Sequence, residues 1–293
     1  MNKIILSIFT FVLIVLSYTS AVGSSHCLIK YEEPIYENSN LWAVLITVGE
    51  PDLDDKDAGR LYDILLDNGW PENNIRYLVE EQSTKEEILN VSNWLNEHGV
   101  QEDDLVLFYF SMHGGYKNDT APFDEPDDKD EFIVPYKHNK SDENIIDEEL
   151  NLMFEEIKTE KLIIIFESCY SGGMIDGAND TKKTGRIVIT STDVNETSYP
   201  YSLFFSRRNG YLLVHYFMKG LGGAADKNHD DYVSVEEAYE YAKFYTVRRS
   251  TIFAFLLLIF HKTLKNHIQH PQMYDGWPSQ ENNQEELKLL YVG

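Results

Sequence analysis

Short, continuous apolar runs alternate along this chain with stretches whose apolar residues recur every three to four positions. Residues 41–48 (LWAVLITV), 104–110 (DLVLFYF), 162–166 (LIIIF) and 186–190 (RIVIT) are of the first kind. Each has the length and β-branched or aromatic bias of a strand buried on both faces. The second kind predicts helices. In 55–68, Ala58, Leu61, Ile64 and Leu65 share one face, and Gly69 and Pro71 end the pattern. Ser83-Thr84-Lys85-Glu86 carries the signature of a capped helix start, so a helix is predicted from there to about Glu97, before Gly99. Further helices are predicted over 148–158 and 210–219, a short strand at 75–79, and another at 132–136 beside the 104–110 strand. Strands separated by helical patterns imply an α/β fold, a mostly parallel central sheet with helices on both faces. In such sheets, ligands gather at the carboxyl ends of the strands.

The first 23 residues do not belong to that fold. Lys3 precedes an apolar run from Ile4 to Leu16, and small residues follow at Ser20, Ala21 and Gly23. That order predicts a secretory signal, with cleavage after Ala21 or Gly23. The run is shorter than the roughly 20 residues a spanning helix needs, so no stable membrane span is expected once the signal is removed. Residues 24–40 read as a polar linker and 41–293 as one domain. Asn-x-Ser/Thr triplets at Asn90, Asn118, Asn139, Asn179 and Asn195 agree with a secreted, extracellular protein, with attachment to a cell surface left open. Asp and Glu number 49 against 25 Lys and Arg, a formal charge of −24. Phosphates would be repelled, so nucleic acid is excluded as the main partner. Cations and basic peptides remain compatible.

Two cysteines, Cys27 and Cys169, are too few for a disulfide framework. A bridge between them is the plain structural alternative to a reactive thiol, but the surroundings of Cys169 point to chemistry. The strand DLVLFYF runs into Ser111-Met112-His113-Gly114-Gly115, and LIIIF runs into Glu167-Ser168-Cys169-Tyr170-Ser171-Gly172-Gly173. Each puts a reactive side chain just past a buried strand, followed by glycines that admit close backbone approach. A thiol needs a base to become a thiolate, and a leaving amine needs a proton; histidine supplies both near neutral pH. If the two strands are neighbours, His113 and Cys169 share a cleft.

FYFSMHGG and IIIFESCYSGGM resemble the histidine and cysteine motifs of the caspase–legumain superfamily of cysteine peptidases, the second the legumain nucleophile segment in particular. Asp130-Glu131-Phe132-Ile133-Val134-Pro135, Ile146-Asp147-Glu148-Glu149-Leu150 and Ile189-Thr190-Ser191-Thr192-Asp193 extend the resemblance over about 41–220. It implies a three-layer caspase-like sandwich, a His113–Cys169 dyad, and the N–H groups of Gly114 and Cys169 as oxyanion donors. It also implies protein or peptide substrates and no organic cofactor. Relatives that read Asn or Asp side chains place an Arg after the first strand, whereas residues 50–57 here carry none. The expectation is therefore an acidic pocket favouring Arg or Lys before the scissile bond, with Glu167, Asp193 and Ser191, or an Asp of 52–57, as substrate-binding residues; the alternative is that Glu167 pairs internally and the 52–57 acids are a solvated helix start.

A second motif lies at 226–237. Asp226, Asn228, Asp230, the carbonyl of Tyr232, Ser234 and Glu237 fall at the ligand positions of a twelve-residue calcium loop, followed by a helical pattern. Asp231 replaces the usual glycine at the sharp turn. Calcium is the expected cofactor, and an acidic turn capping a helix is the alternative. Residues 251–260 (TIFAFLLLIF) are expected as a buried helix or a subunit contact, with Arg248, Arg249, Lys262 and Lys265 leaving peripheral membrane contact open. Arg207-Arg208 offers a self-cleavage site. Two rivals to hydrolysis remain: transfer of the acyl group to an amine on the same scaffold, and a catalytically silent calcium-binding interaction protein.

Overall fold

The computed structural model describes residues 40–49, 55–120, 123, 125–136, 143–200, 210–261, 268–278 and 285–293. The chain divides into two units, Met1–Glu32 and Glu33–Gly293, and the description concerns the second. The signal, Cys27, Asn139, Arg207-Arg208, Lys262 and Lys265 lie outside the described residues.

Five parallel strands and one antiparallel strand form the central sheet: β1 (Leu41–Thr47), β2 (Ile75–Val79), β3 (Leu105–Ser111), β7 (Lys161–Glu167), β8 (Arg186–Thr190) and β10 (Gln272–Asp275). Their order is β10-β8-β7-β3-β1-β2. Successive residues of a strand face opposite sides of a sheet, so each apolar run feeds two cores at once. Val44, Phe108, Phe110, Ile164 and Phe166 enter one core with α2 (Lys85–Leu89), α3 (Val91–His98) and α4 (Asp147–Glu155). Leu45, Leu107, Tyr109, Ile163 and Ile165 enter the other, with α1 (Asp55–Asp67), α5 (Leu212–Lys219) and α6 (Val235–His261). The architecture is a three-layer α/β sandwich of caspase-like form.

Two expectations are corrected. The helix of 85–98 is two helices, with Asn90 (φ −86°, ψ 0°) both ending α2 and opening α3. The strand expected at 132–136 beside 104–110 is β5 (Lys129–Ile133), and it lies elsewhere. It pairs with β4 (Gly114–Asn118) and β6 (Ile145–Ile146) in a separate antiparallel sheet. The reason is that β1 and β7 already occupy both edges of β3. β9 (Tyr232–Ser234) pairs with β11 (Lys288–Tyr291) in a two-stranded ribbon.

The segment expected as a buried helix at 251–260 forms the end of α6. Residues 251–258 are half-buried to exposed, and Phe255 is 52% exposed. Among the described residues, no helix is long and apolar enough to cross a membrane.

Phe110 is fully buried, stacked on Phe108 at 5.9 Å and on Phe166 at 5.1 Å, with Phe154 edge-on at 6.2 Å. Phe110→Ala is expected to destabilise the domain by about 3–5 kcal/mol, read from the midpoint of urea unfolding.

Candidate active site

β3 and β7 pair in parallel and in register, from Leu105 opposite Lys161 to Ser111 opposite Glu167. His113 and Cys169 therefore leave the same edge of the sheet, two residues beyond the last pair. Close packing keeps them together there. A Cβ on Gly114 would collide with the carbonyl oxygen of Cys169 and lie 3.1 Å from the side chain of Ser168, so only glycine lets the two turns touch. The backbone of His113 is held by Val134, whose N–H donates to the His113 carbonyl at 2.9 Å. His113 is exposed and Cys169 half-buried. No hydrogen bond joins the ring to the thiol among the described residues, a looseness common to substrate-free sites.

The sulfur is free, not bridged. Burial pushes its pKa above the usual thiol value; the Ser198 N–H works the other way, and the Glu167 carboxylate adds to the rise. The resting state is a thiol, which a neighbouring base must deprotonate. After Cys169 the chain turns through Tyr170 (φ 60°, ψ 16°), left-handed backbone that a bulky residue adopts only at a cost. A hydrogen bond from the Tyr170 N–H to the Glu196 carbonyl at 2.7 Å holds that turn, and a short 3₁₀ helix, Ser171–Ile175, follows.

Glu167 is 1% exposed, and both carboxylate oxygens are engaged. Ser198 Oγ donates to one at 2.6 Å, and the Val214 N–H to the other at 3.1 Å. Burial raises its pKa to about 7, against the pull of those hydrogen bonds; the Asp57 charge raises it further. Asp57 is fully buried at the first turn of α1, accepting from the Tyr211 N–H at 2.6 Å and from Arg60 at 2.9 Å.

The other two residues expected at the substrate lie in the loop beside the Cys169 turn. The Ser191 hydroxyl is buried, accepting from the Ser168 N–H at 3.2 Å and donating to the Ser168 carbonyl at 3.1 Å. It braces the backbone before the nucleophile because its own loop runs alongside that turn. The Asp193 carboxylate is exposed and accepts from the Val194 N–H at 2.7 Å, so it caps its own loop. Together with Thr192, which is hydrogen-bonded to Ser171, this loop stitches down the nucleophile segment.

The loop at 226–237 is a tight turn held by its own side chains. Asp226, Asn228 and Asp230 each accept from a backbone N–H two or three residues on, and His229 and Asp231 adopt left-handed backbone (φ 59° and 66°). Asp231 thus takes up the turn that glycine normally makes. Glu237 accepts from the Lys227 and Ser234 N–H groups, and the Lys288 ammonium lies 2.9 Å from Asp230.

A second acidic site has no counterpart in the sequence reading. Ligand atoms of Glu125, Glu131 and Asp176 lie within 4.8 Å of one another, as do those of Glu125, Asp147 and Asp180. Both carboxylate oxygens of Glu131 are buried without a hydrogen-bond partner. Burial, then the charges of Asp176 and Asp127, push its pKa to about 8. Burial likewise raises Asp180 to about 6 and Asp147 far above the carboxylate range. A group of buried carboxylates in which both Glu131 oxygens are unpartnered fits a hard cation with oxygen ligands. The cluster also touches the nucleophile turn, because the Glu131 carboxylate fills the space where Gly173 lacks a side chain. Glu131 and Asp147 belong to strings that the family resemblance singled out without giving them a role.

Residues 62–178 match the family model described as metacaspase, peptidase C14 domain. Metacaspase-1 of Candida albicans is 30% identical over 132 residues, covering 41% of this chain and 29% of that protein. Metacaspase-1 of Pyricularia oryzae is 35% identical over 97 residues, 32% and 24% of the respective chains. This chain therefore matches less than a third of the length of these relatives. A crystal structure of a Geobacter sulfurreducens protein, GSU0716, shares the fold, with a TM-score of 0.52 over 80% of this chain and 92% of that one, at 16% identity.

Two outcomes follow from the packing and the charge. Gly114→Ala is expected to cut turnover of any good substrate about a hundredfold or more by displacing the Cys169 carbonyl and the N–H groups around it. Folded-state pKa values raised for Glu131 and Asp180 mean that the native state holds protons the unfolded chain gives up. The contribution of these two groups to stability in chelator should therefore be full below about pH 4 and be lost as pH rises through about 6 and about 8. Thermal melts from pH 5 to 8 check this, and Glu131→Gln should flatten the upper part of the slope.

Proposed function

We propose that this chain is a cysteine peptidase of the caspase-like superfamily and hydrolyses peptide bonds with Cys169 as nucleophile and His113 as its proton partner. The observation that carries the reading is the in-register β3–β7 ladder, with Gly114 packed against the Cys169 carbonyl. His113 takes the thiol proton as sulfur attacks the carbonyl carbon, then gives it to the departing amine, leaving a thioester. Water, deprotonated by the same imidazole, releases the acid and restores the thiol. The N–H groups of Gly114 and Cys169 face the developing oxyanion.

Preference for Arg or Lys before the scissile bond belongs to the same proposal. What supports it is a pair of buried carboxylates, Glu167 and Asp57, near enough for each to raise the other's cost of ionisation. Ser198 links this pair to the thiol, with its N–H toward Cys169 and its hydroxyl on Glu167.

Calcium is the proposed cofactor, with two candidate sites. The 226–237 loop has the ligand spacing. The Glu125–Glu131–Asp147–Asp176–Asp180 cluster has the unpartnered buried oxygens of Glu131. A cation there would offset like charges that press on the nucleophile turn through Gly173. Export through residues 1–23 completes the proposal, supported by their basic, apolar and small-residue order.

Cys169→Ala should abolish cleavage of a peptide library and labelling by a peptidyl thiol-reactive probe. Retained cleavage would remove Cys169 from its role. The ratio of kcat/KM for Arg over an isosteric neutral residue should rise from pH 6 to 8, as Glu167 loses its proton near pH 7. Faster turnover of Asn or Asp peptides would end the basic-pocket idea. Titration calorimetry should show a calcium site lost in Glu131→Gln; loss only in Glu237→Gln would assign the ion to the 226–237 loop instead.

A further inference from the structure

The nucleophile turn carries an aromatic wall that neither the dyad nor the acidic pocket uses. Tyr170 follows Cys169 directly in its left-handed conformation, and its ring meets that of Tyr116 edge-on at 5.1 Å. Tyr116 lies on β4, three residues beyond His113, and is 47% exposed. The Lys129 ammonium lies 4.8 Å from the centre of the Tyr116 ring, and also bonds Asp127 and, at 3.3 Å, Asn195. That ring is thus held between two strands and a loop while one side stays open to solvent. A large aromatic side chain exposed on a fixed platform beside a reactive thiol, next to a second ring in strained backbone, is a built surface.

Its position relative to the chemistry decides which part of a substrate meets it. The imidazole must reach the departing nitrogen, so the departing half of the peptide lies toward the element that carries His113. That element continues as β4 and presents Tyr116. Glu167 lies toward the opposite neighbours, Ser198 and Val214, and so belongs to the half of the substrate retained as thioester. The Lys129 charge is already met by Asp127, so the wall offers ring surface more than net charge.

We infer that Tyr116 and Tyr170, with Lys129 bracing the first, form the subsite for the first residue after the scissile bond and select a large apolar or aromatic side chain there. The inference rests on the peptidase reading. A ring packed edge-on against two tyrosines gains stacking beyond simple area burial, whereas glycine leaves the wall wet and aspartate gains nothing from it.

Internally quenched peptides with Arg before the scissile bond and Phe, Leu, Gly or Asp after it test the idea. Rates are normalised to the fraction of sites titrated by a covalent probe that occupies only the retained side. Wild type should cleave the Phe and Leu peptides about tenfold faster, in kcat/KM, than Gly or Asp. Tyr116→Ala and Tyr170→Ala should reduce that ratio to below about threefold, and Tyr116→Phe should keep it. A flat wild-type profile overturns the subsite, as does a ratio unchanged in both alanine variants. A uniform loss for all four peptides with the ratio intact overturns it too, since that is the signature of a damaged turn. Normal probe labelling in these cases leaves the peptidase reading standing, whereas absence of both labelling and cleavage in wild type removes the two together.

Discussion

The parallel ladder between β3 and β7 is the constraint on which the rest of the site depends. Both strands are buried on both faces, and their aromatic residues interlock through Phe108, Phe110 and Phe166. A slip of one residue would swap every side chain between the two cores, so packing sets the register. That register in turn brings the turns after Ser111 and Glu167 side by side. Gly114 makes the contact close, and the Ser191–Ser198 loop pins the other side of the nucleophile segment through Ser168, Tyr170 and Ser171. The thiol is thus positioned by backbone contacts from three directions. Its raised pKa follows from the same enclosure, because burial penalises the thiolate.

The large negative charge of the chain is not spread over the surface alone. Part of it is packed against the sheet edge, where Glu131, Asp147 and Asp180 are buried and Glu131 presses into the gap at Gly173. Like charges in a low-dielectric pocket oppose folding unless they bind protons or a cation. Stability and the set of the nucleophile turn are then linked, because the same carboxylates enter both. Glu167 and Asp57 repeat the arrangement on a smaller scale, on the side of the thiol away from β4. There, Asp57 is met by Arg60 and the Tyr211 N–H, and Glu167 by Ser198 and the Val214 N–H, yet burial still holds the Glu167 pKa up at about 7.

How much of this was legible in the chain follows from what each element is made of. Strands β1, β3, β7 and β8 are short continuous apolar runs, bounded by polar residues, of the kind that a strand buried on both faces gives. Their limits came within a residue or two, and the dyad stood at the ends of two of them. β4, Gly114–Asn118, has no apolar pattern at all, since its pairing with β5 is by backbone; the Phe132–Tyr136 run was accordingly assigned to the wrong neighbour. The 251–260 run reads as buried from composition, yet residues 251–258 are half-buried to exposed, and hydrophobicity alone does not say what an element packs against.

Local patterning thus determined the fold class, the principal strands of the sheet and the two candidate side chains, His113 and Cys169, at the ends of neighbouring strands, because those depend on residues adjacent in sequence. The tertiary structure decided what converges from a distance. Glu125, Glu131, Asp147, Asp176 and Asp180 come from separate segments and have no common period. Ser191 bonds the backbone of Ser168 and Asp193 the N–H of Val194, because a hydroxyl or carboxylate bonds whichever backbone the fold brings to it. Burial sets the cost of charge, and burial belongs to the folded chain alone.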